Sequence, residues 1–496
     1  MKYSILILFT ILALASCNVD VPNNFKPSNE PVKISPDYSD LTIPCNIAPL
    51  NFTIEANADD YITRIFTKRN TSGITLKGKD VIIDTKKWKG LIANNKADSV
   101  FFEVFLKKND EWIKYLPIKN CVAEETIDQY ITYRLIQPLF VTYYNLSILQ
   151  RDITNFKEKT IFDTRMTLAE THGQCVNCHS FQDYNQTGKM QFHVRGYMGG
   201  TIIAKDNEIE KINLKTDSTL SAGVYPAWHP QLDLIAYSVN KIHQNFHTKD
   251  TQKTEVQDTK SGIILYDVAK NQVRKIIDDP DKLETFPYWA PDGKTLFFAS
   301  TDYTPTMNDL ALEVTQNYEH IKYNLYSIPF NPQTQEFGEI DTVFDASAIG
   351  KSATFPRLSP KGKYLMFTLG DYGNFHIWHK SSDLYLRNME TGETRNISEI
   401  NSDDTESYHS WSSNGSWVIF SSRRKNGGYT RFYIAYFDGK GNFGKPFILP
   451  QKDPQFYQQF FKSYNIPEFL VKPVEFTPHE LLDAIKTESK QAVYEE

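Results

Sequence analysis

Phe286-Pro287-Tyr288-Trp289-Ala290-Pro291-Asp292-Gly293, followed by Leu296-Phe297-Phe298, reads as a strand, a tight turn and an apolar strand. The same order recurs at Tyr225-Pro226-Ala227-Trp228-His229-Pro230 with Leu234-Ile235-Ala236-Tyr237, and at Phe355-Pro356-Arg357-Leu358-Ser359-Pro360 with Leu365-Met366-Phe367. It returns at His409-Ser410-Trp411-Ser412 with Val418-Ile419-Phe420. A second strand pair follows each unit, as in Ile263-Ile264-Leu265-Tyr266, Leu325-Tyr326-Ser327-Ile328, Leu384-Tyr385-Leu386 and Phe432-Tyr433-Ile434-Ala435. Four strands per unit, repeating every 50 to 70 residues or so, are the dimensions of propeller blades lengthened by loops.

These units resemble the blades of the TolB-like β-propeller family, which read roughly Pro-x-Trp-Ser-Pro-Asp-Gly before an apolar strand. The resemblance spans about residues 220 to 450; Leu232-Asp233 lacks the Asp-Gly turn, and Leu358 stands where a tryptophan is expected. Residues 181 to 214 read as a further blade, with Gly188-Lys189-Met190-Gln191-Phe192-His193 aligned on Gly293-Lys294-Thr295-Leu296-Phe297-Phe298 and Gly200-Thr201-Ile202-Ile203-Ala204 as its next strand. A sixth is expected from strands near 131 to 165 or from the C-terminal tail. The expected fold class is therefore all-β: a TolB-like propeller of six blades, preceded by a small immunoglobulin-like β-sandwich and followed by a short C-terminal helix.

The 496 residues, 23% charged and 14% aromatic, with mean hydropathy −0.45, describe a folded water-soluble protein rather than a disordered chain or a multi-span membrane protein. A net charge of −6 gives no general attraction to phosphate backbones, so no nucleic-acid partner is expected. Lys2, the apolar run Ile5 to Leu14 and Ala15-Ser16-Cys17 have the layout of a secretion signal. Leu14-Ala15-Ser16-Cys17 resembles the lipobox of bacterial lipoproteins, which implies cleavage before Cys17, lipid on its thiol and residence in the bacterial cell envelope, periplasmic or outer-membrane-associated. The reading by segment is signal 1 to 17, a Pro-rich tether 18 to 44, a β-sandwich 45 to 125, a connector with candidate blade strands 126 to 170, a first blade 171 to 219, propeller blades 220 to 450 and a tail 451 to 496. In the tail, Thr477-Pro478-His479-Glu480 is a capping box opening a helix through about Ala492.

Cys175-Val176-Asn177-Cys178-His179 is C-x-x-C-H, the attachment signature of one covalent c-type haem: two thioethers and an adjacent imidazole for the iron. Five cysteines and eleven histidines in 496 residues give about 0.001 such strings by chance. A thioredoxin-like pair would sit in a βαβ pattern, and a structural zinc site would want a second pair of similar spacing. Of the other cysteines, Cys17 goes to lipid, and Cys45 with Cys121, flanking one β-rich segment, are expected to form a disulfide.

The distal side of the iron decides between electron transfer and ligand chemistry. Nearby candidates are His172, Met190, His193 and Met198; His193, aligned on the inward aromatic slot of Tyr237, Phe298, Phe367 and Phe420, leads, Met190 follows, and a distant residue or an open position remain. The motif precedes its blade's first strand, and the long insertions 239 to 260, 301 to 322 and 370 to 381 fall between second and third strands. Haem and insertions should therefore share one face, which carries His243, His247, His376 and His379 as further candidates. The leading expectation is an envelope electron carrier with a redox or scaffold protein partner. The alternatives are a propeller scaffold or sensor for an envelope protein, peptide or glycan, and a peroxidase if the iron is open with His193 or His172 as acid–base group. No G-x-S-x-G is present, and too few residues follow the last blade for a hydrolase domain.

Overall fold

The computed structural model describes residues 19–137, 145–167, 175–246, 254–277 and 279–495. The chain is nearly all β, and among the described residues no helix is long and apolar enough to cross a membrane. Six antiparallel sheets repeat one plan. The second is Cys175–Phe181, Met190–Arg195, Gly200–Lys205 and Glu208–Asn213, and the third is Val224–Trp228, Leu234–Phe246, Thr254–Asp267 and Gln272–Ile277. The fourth, fifth and sixth begin at Lys282–Trp289, Ser352–Leu358 and Glu406–Trp411. The first sheet is built from both ends of this region: Tyr130–Ile136, Ser147–Asp152 and Glu158–Asp163 take the C-terminal strand Ser463–Leu470 as their inner strand. Both sources expected for a sixth unit thus contribute to the same sheet.

The inner strands meet in a ring, each bulged at one residue. At the bulge the backbone enters the left-handed region at Cys178 (φ 54°), Tyr225 (48°), Phe286 (53°), Phe355 (53°) and Ile466 (53°), a conformation that costs energy in a non-glycine residue and is held here by the packing around it. Ring centroids of Tyr225 and Phe286 lie 4.4 Å apart, Phe286 and Phe355 4.2 Å, Phe355 and Tyr408 4.5 Å. The ring closes through backbone hydrogen bonding between the strand carrying Ile466 and the segment after Phe181, where Val471 N donates to Tyr184 O at 3.0 Å. In the third sheet the missing Asp-Gly turn is replaced by an imidazole: His229 Nδ1 accepts from the N–H groups of Gln231 and Leu232 at 3.1 and 3.0 Å.

The N-terminal residues form a seven-stranded and a three-stranded sheet sharing one core, with Phe52 stacked on Phe102 and the buried Trp88 beside it. The segment expected to be a tether belongs largely to this unit. Lys26–Pro27, Ile34–Ser35 and Thr42–Ile43 pair into its sheets, and Val32, Tyr38 and Leu41 are buried, because apolar residues spaced among the prolines supply core side chains. This core runs on into the sixth sheet through Trp417, Ile419, Phe432 and Ile434.

The Cys45–Cys121 disulfide is not formed; both thiols are free. In Ile118–Val122 the side chains alternate, so Cys121 points to solvent while Cys45 is buried with its thiol 3.6 Å from the Glu124 carbonyl. At the other end, the capping box is present, with Glu480 N donating to Thr477 Oγ1 and Thr477 N to Glu480 Oε2. The helix spans Pro478–Lys486 and stops short of Ala492, because Lys211 Nζ takes the carbonyls of Ile485 and Thr487 at 2.8 and 2.9 Å. Beyond it, Lys490–Gln491 and Val493–Tyr494 add parallel edge strands to the second and third sheets.

Candidate functional site

Superposing the six bulges aligns Cys178-His179-Ser180-Phe181 with Tyr225-Pro226-Ala227-Trp228, Phe286-Pro287-Tyr288-Trp289, Phe355-Pro356-Arg357-Leu358, Tyr408-His409-Ser410-Trp411 and Ile466-Pro467-Glu468-Phe469. The C-x-x-C-H motif therefore lies inside an inner strand rather than before it. Cys178 is the one small member of a ring otherwise made by Tyr225, Phe286, Phe355, Tyr408 and Ile466, and His179 takes the place of a proline.

Cys175 pairs with Arg195 at the end of the sheet that carries the long second-to-third connections, so it lies on the face expected for it. It is partly exposed, whereas Cys178 and His179 are only 4% and 2% exposed. Burial pushes the Cys178 thiol up, against Arg195, the Tyr225 backbone and Arg134. Burial and then the Arg134 guanidinium push His179 down to about 3, opposed by the Ile466 backbone, so the imidazole is neutral. Neither of its buried ring nitrogens completes a hydrogen bond. Arg134 also donates to Asn177 Oδ1 within the motif.

The aromatic slot assigned to His193 belongs to Phe192. The connection between the first two strands is longer here than in the fourth sheet, Phe181 pairing with Met190 where Trp289 pairs with Leu296. This moves the alignment by one residue and puts His193 level with Ala299. His193 is buried with Nδ1 3.4 Å from Thr201 Oγ1, and burial with the Arg195 charge pushes it down to about 3. It shares a face of its strand with Gln191, which meets Tyr237 of the third sheet. His179, beside Arg134 and Ile466, faces the first sheet instead, as does Met190, which packs with Phe181, Phe192 and Val194 and with Ile148 and Phe162. Met198 sits at the edge of that cluster. The structure does not bring His193 to His179, because the sheet lies between them.

The loop histidines divide. His376 and His379 are not solvated: both are buried, 5.3 Å apart between ring centroids. His376 accepts from Thr354 Oγ1 at 2.9 Å and donates to the Tyr372 carbonyl, while His379 Nε2 meets Glu255 Oε2 at 3.1 Å. His243, at the side of the long Leu234–Phe246 and Thr254–Asp267 hairpin, contacts Asn245. The hairpin bends over the 370 to 381 connection, where Asp258, pushed up to about 7 by burial, accepts from Asn240 and Asn374 at 2.8 and 2.9 Å. Cys17, His172 and His247 lie outside the described residues.

Past the ring, on the opposite face, a cavity of about 390 Å³ occupies the axis. The residues two positions after each bulge line it: Ser180, Ala227, Tyr288, Arg357, Ser410 and Glu468. Sequence reading missed this tier, since it attended to the Pro and Trp that frame the repeat; the variable position between them was the available signal. The cavity does not border Cys175, Cys178 or His179. The donor set itself, two unjoined thiols on one strand followed by a neutral imidazole, is of the chemistry a covalent haem takes up, with Cys175 partly exposed on the loop-bearing side.

No family model and no curated protein matches the chain. Among solved structures, TolB from Acinetobacter baumannii is similar at TM-score 0.44 and 13% identity, over 78% of this chain and 85% of that one. The tricorn protease gives 0.35 and 12%, over 71% and 34%, and an oligogalacturonate lyase from Vibrio parahaemolyticus 0.29 and 11%, over 62% and 91%. At such scores these likenesses carry no argument about activity.

Proposed function

We propose that the chain is a lipoprotein of the bacterial cell envelope, held by lipid on Cys17, whose six sheets are the blades of a TolB-like propeller carrying one covalent haem c on Cys175 and Cys178 with His179 as the axial ligand. The N-terminal two-sheet unit serves as an immunoglobulin-like spacer. The observation that carries this reading is the His179 imidazole, buried and neutral beside two free thiols, with the Ile466 backbone as its polar contact. Such a haem supplies one-electron chemistry. His179 offers its lone pair without prior loss of a proton, Arg134 and Arg195 set positive charge beside the thiols to suit the anionic carboxylates of the group, and the surrounding sheets keep water out.

Electron transfer to or from an envelope partner is the favoured role. A peroxidase would need an acid–base group beside the haem; His193 is turned to the other face of its sheet from His179, and the other candidate, His172, lies outside the described residues. The test is haem staining and intact mass of the denatured protein made in a host competent for cytochrome maturation. The wild type should keep the added mass and stain, and the Cys175→Ala/Cys178→Ala variant should lose both. A wild-type mass of bare polypeptide overturns the reading. Prompt binding of carbon monoxide by the reduced protein at neutral pH would shift the role from carrier to ligand binding.

A further inference from the structure

Among the residues that line the axial cavity, the six that stand two positions after the bulges are not alike. Ser180, Ala227 and Ser410 are small, Tyr288 is aromatic, and Arg357 and Glu468 are ionisable, on inner strands separated by the one carrying Ser410. Among the described residues Arg357 is the only Lys or Arg lining the cavity. Its guanidinium lies 4.9 Å over the Tyr288 ring, and the one hydrogen bond described for it runs from Nη1 to the Pro356 carbonyl at 2.8 Å. Among the described residues no carboxylate comes within ion-pair distance of it. Glu468 Oε2 is buried without a hydrogen-bond partner. A guanidinium fork with N–H groups to spare thus shares a partly open cavity with a carboxyl oxygen in need of a partner, and Trp228, Trp289 and Trp411 wall that space.

We propose that this cavity binds a small carboxylate-bearing molecule, its carboxylate paired with Arg357 and accepting a hydrogen bond from the Glu468 carboxyl, its apolar body against the tryptophans. Burial pushes Glu468 up to about 8, despite the Arg357 charge and the Phe181 backbone, so at neutral pH it carries the proton that it donates. His409, on the same wall, is pushed down to about 3 by burial and then Arg357, and adds no second cation, while burial also pushes up Asp183, the other carboxyl in the lining. The polar pair sets orientation and charge preference, and the aromatic walls supply area, the division of labour usual in small-molecule sites. The proposal stands without the haem reading, because the cavity does not border the motif.

The test is calorimetric titration of the full chain at pH 7 with 3-phenylpropanoate, with its neutral isostere 3-phenylpropanamide and with 2-phenylethylammonium. The propanoate should bind with a dissociation constant below about 1 mM, and at least about tenfold tighter than either other probe. Arg357→Gln should bring propanoate and amide to equal affinity, with Arg357→Lys retaining part of the preference, and Glu468→Leu should weaken the propanoate alone. Amide or ammonium binding as tight as the propanoate in the wild-type protein, or no binding of the propanoate, overturns the proposal whatever the variants do.

Discussion

Cys178 stands where every other inner strand has something else, and His179 shares its place with His409 of the sixth sheet. At the position of Cys178 the other inner strands carry Tyr225, Phe286, Phe355, Tyr408 and Ile466, and at that of His179 four of them carry proline. The strand therefore accepts proline at the second place, which gives a way to separate coordination from folding. His179→Pro should leave the melting temperature within a few degrees of the wild type, a change of about 1 kcal/mol or less, while the Soret band of the haem-loaded protein shifts with loss of the imidazole ligand. A variant that fails to fold would mean that His179 is a packing residue first. The motif was legible in the sequence from its spacing alone. That it is also a blade repeat was hidden by comparison with Phe-Pro-Tyr-Trp, with which Cys-His-Ser-Phe shares only its last, aromatic residue; its His-Ser-aromatic likeness to His409-Ser410-Trp411 emerges once the bulges are superposed.

Between residue and element, what the sequence hides is count. The strand pairs were readable from alternating Leu, Phe, Ile and Tyr, but a connection longer by two residues between Phe181 and Met190 displaced His193 from the slot it was given. Facing direction is equally hidden: Cys45 and Cys121 flank one sheet region, yet strand alternation sends one inward and the other out. The long hairpin is an element whose role can be measured. Glu255 near its tip meets His379, which is 1% exposed and also rests on Tyr372 at 4.7 Å. Glu255→Ala strands a buried imidazole nitrogen and should cost about 1–3 kcal/mol, read as a lower urea midpoint with unchanged slope. Glu255→Gln, which keeps a polar partner, should lose less.

For the molecule as a whole, buried titratable groups set the pH range of stability. With His179 taken up in the haem-loaded protein, His193, His376 and His409 remain held down to about 3 by burial, so their contribution is complete above the unfolded value of 6.5 and is lost as pH falls toward 3. Asp258 and Glu468 are raised to about 7 and about 8, so theirs is complete below the unfolded values of 3.8 and 4.5 and is lost as pH rises through the folded ones. Between about pH 5 and 6, three imidazoles outweigh two carboxyls, and stability should rise with pH. Above pH 6.5 only the carboxyls still titrate, and it should fall. A thermal-melt series should therefore peak just below neutrality, and Glu468→Gln should flatten the limb between pH 7 and 8. A steady rise up to pH 8 would contradict the burial assigned to these acids.

The order in which the chain is made adds a constraint on assembly. Ser463–Leu470, which flanks the strand bearing Cys178, is delivered only after every other inner strand, and the edge laces at Lys490–Gln491 and Val493–Tyr494 come later still. Until then the nascent circle has a missing sector next to the two thiols, and maturation enzymes can reach them from the side. Once the tail is threaded, that entrance is shut, so any cofactor loading at Cys178 belongs to the interval before Ser463–Leu470 and the residues after it are in place.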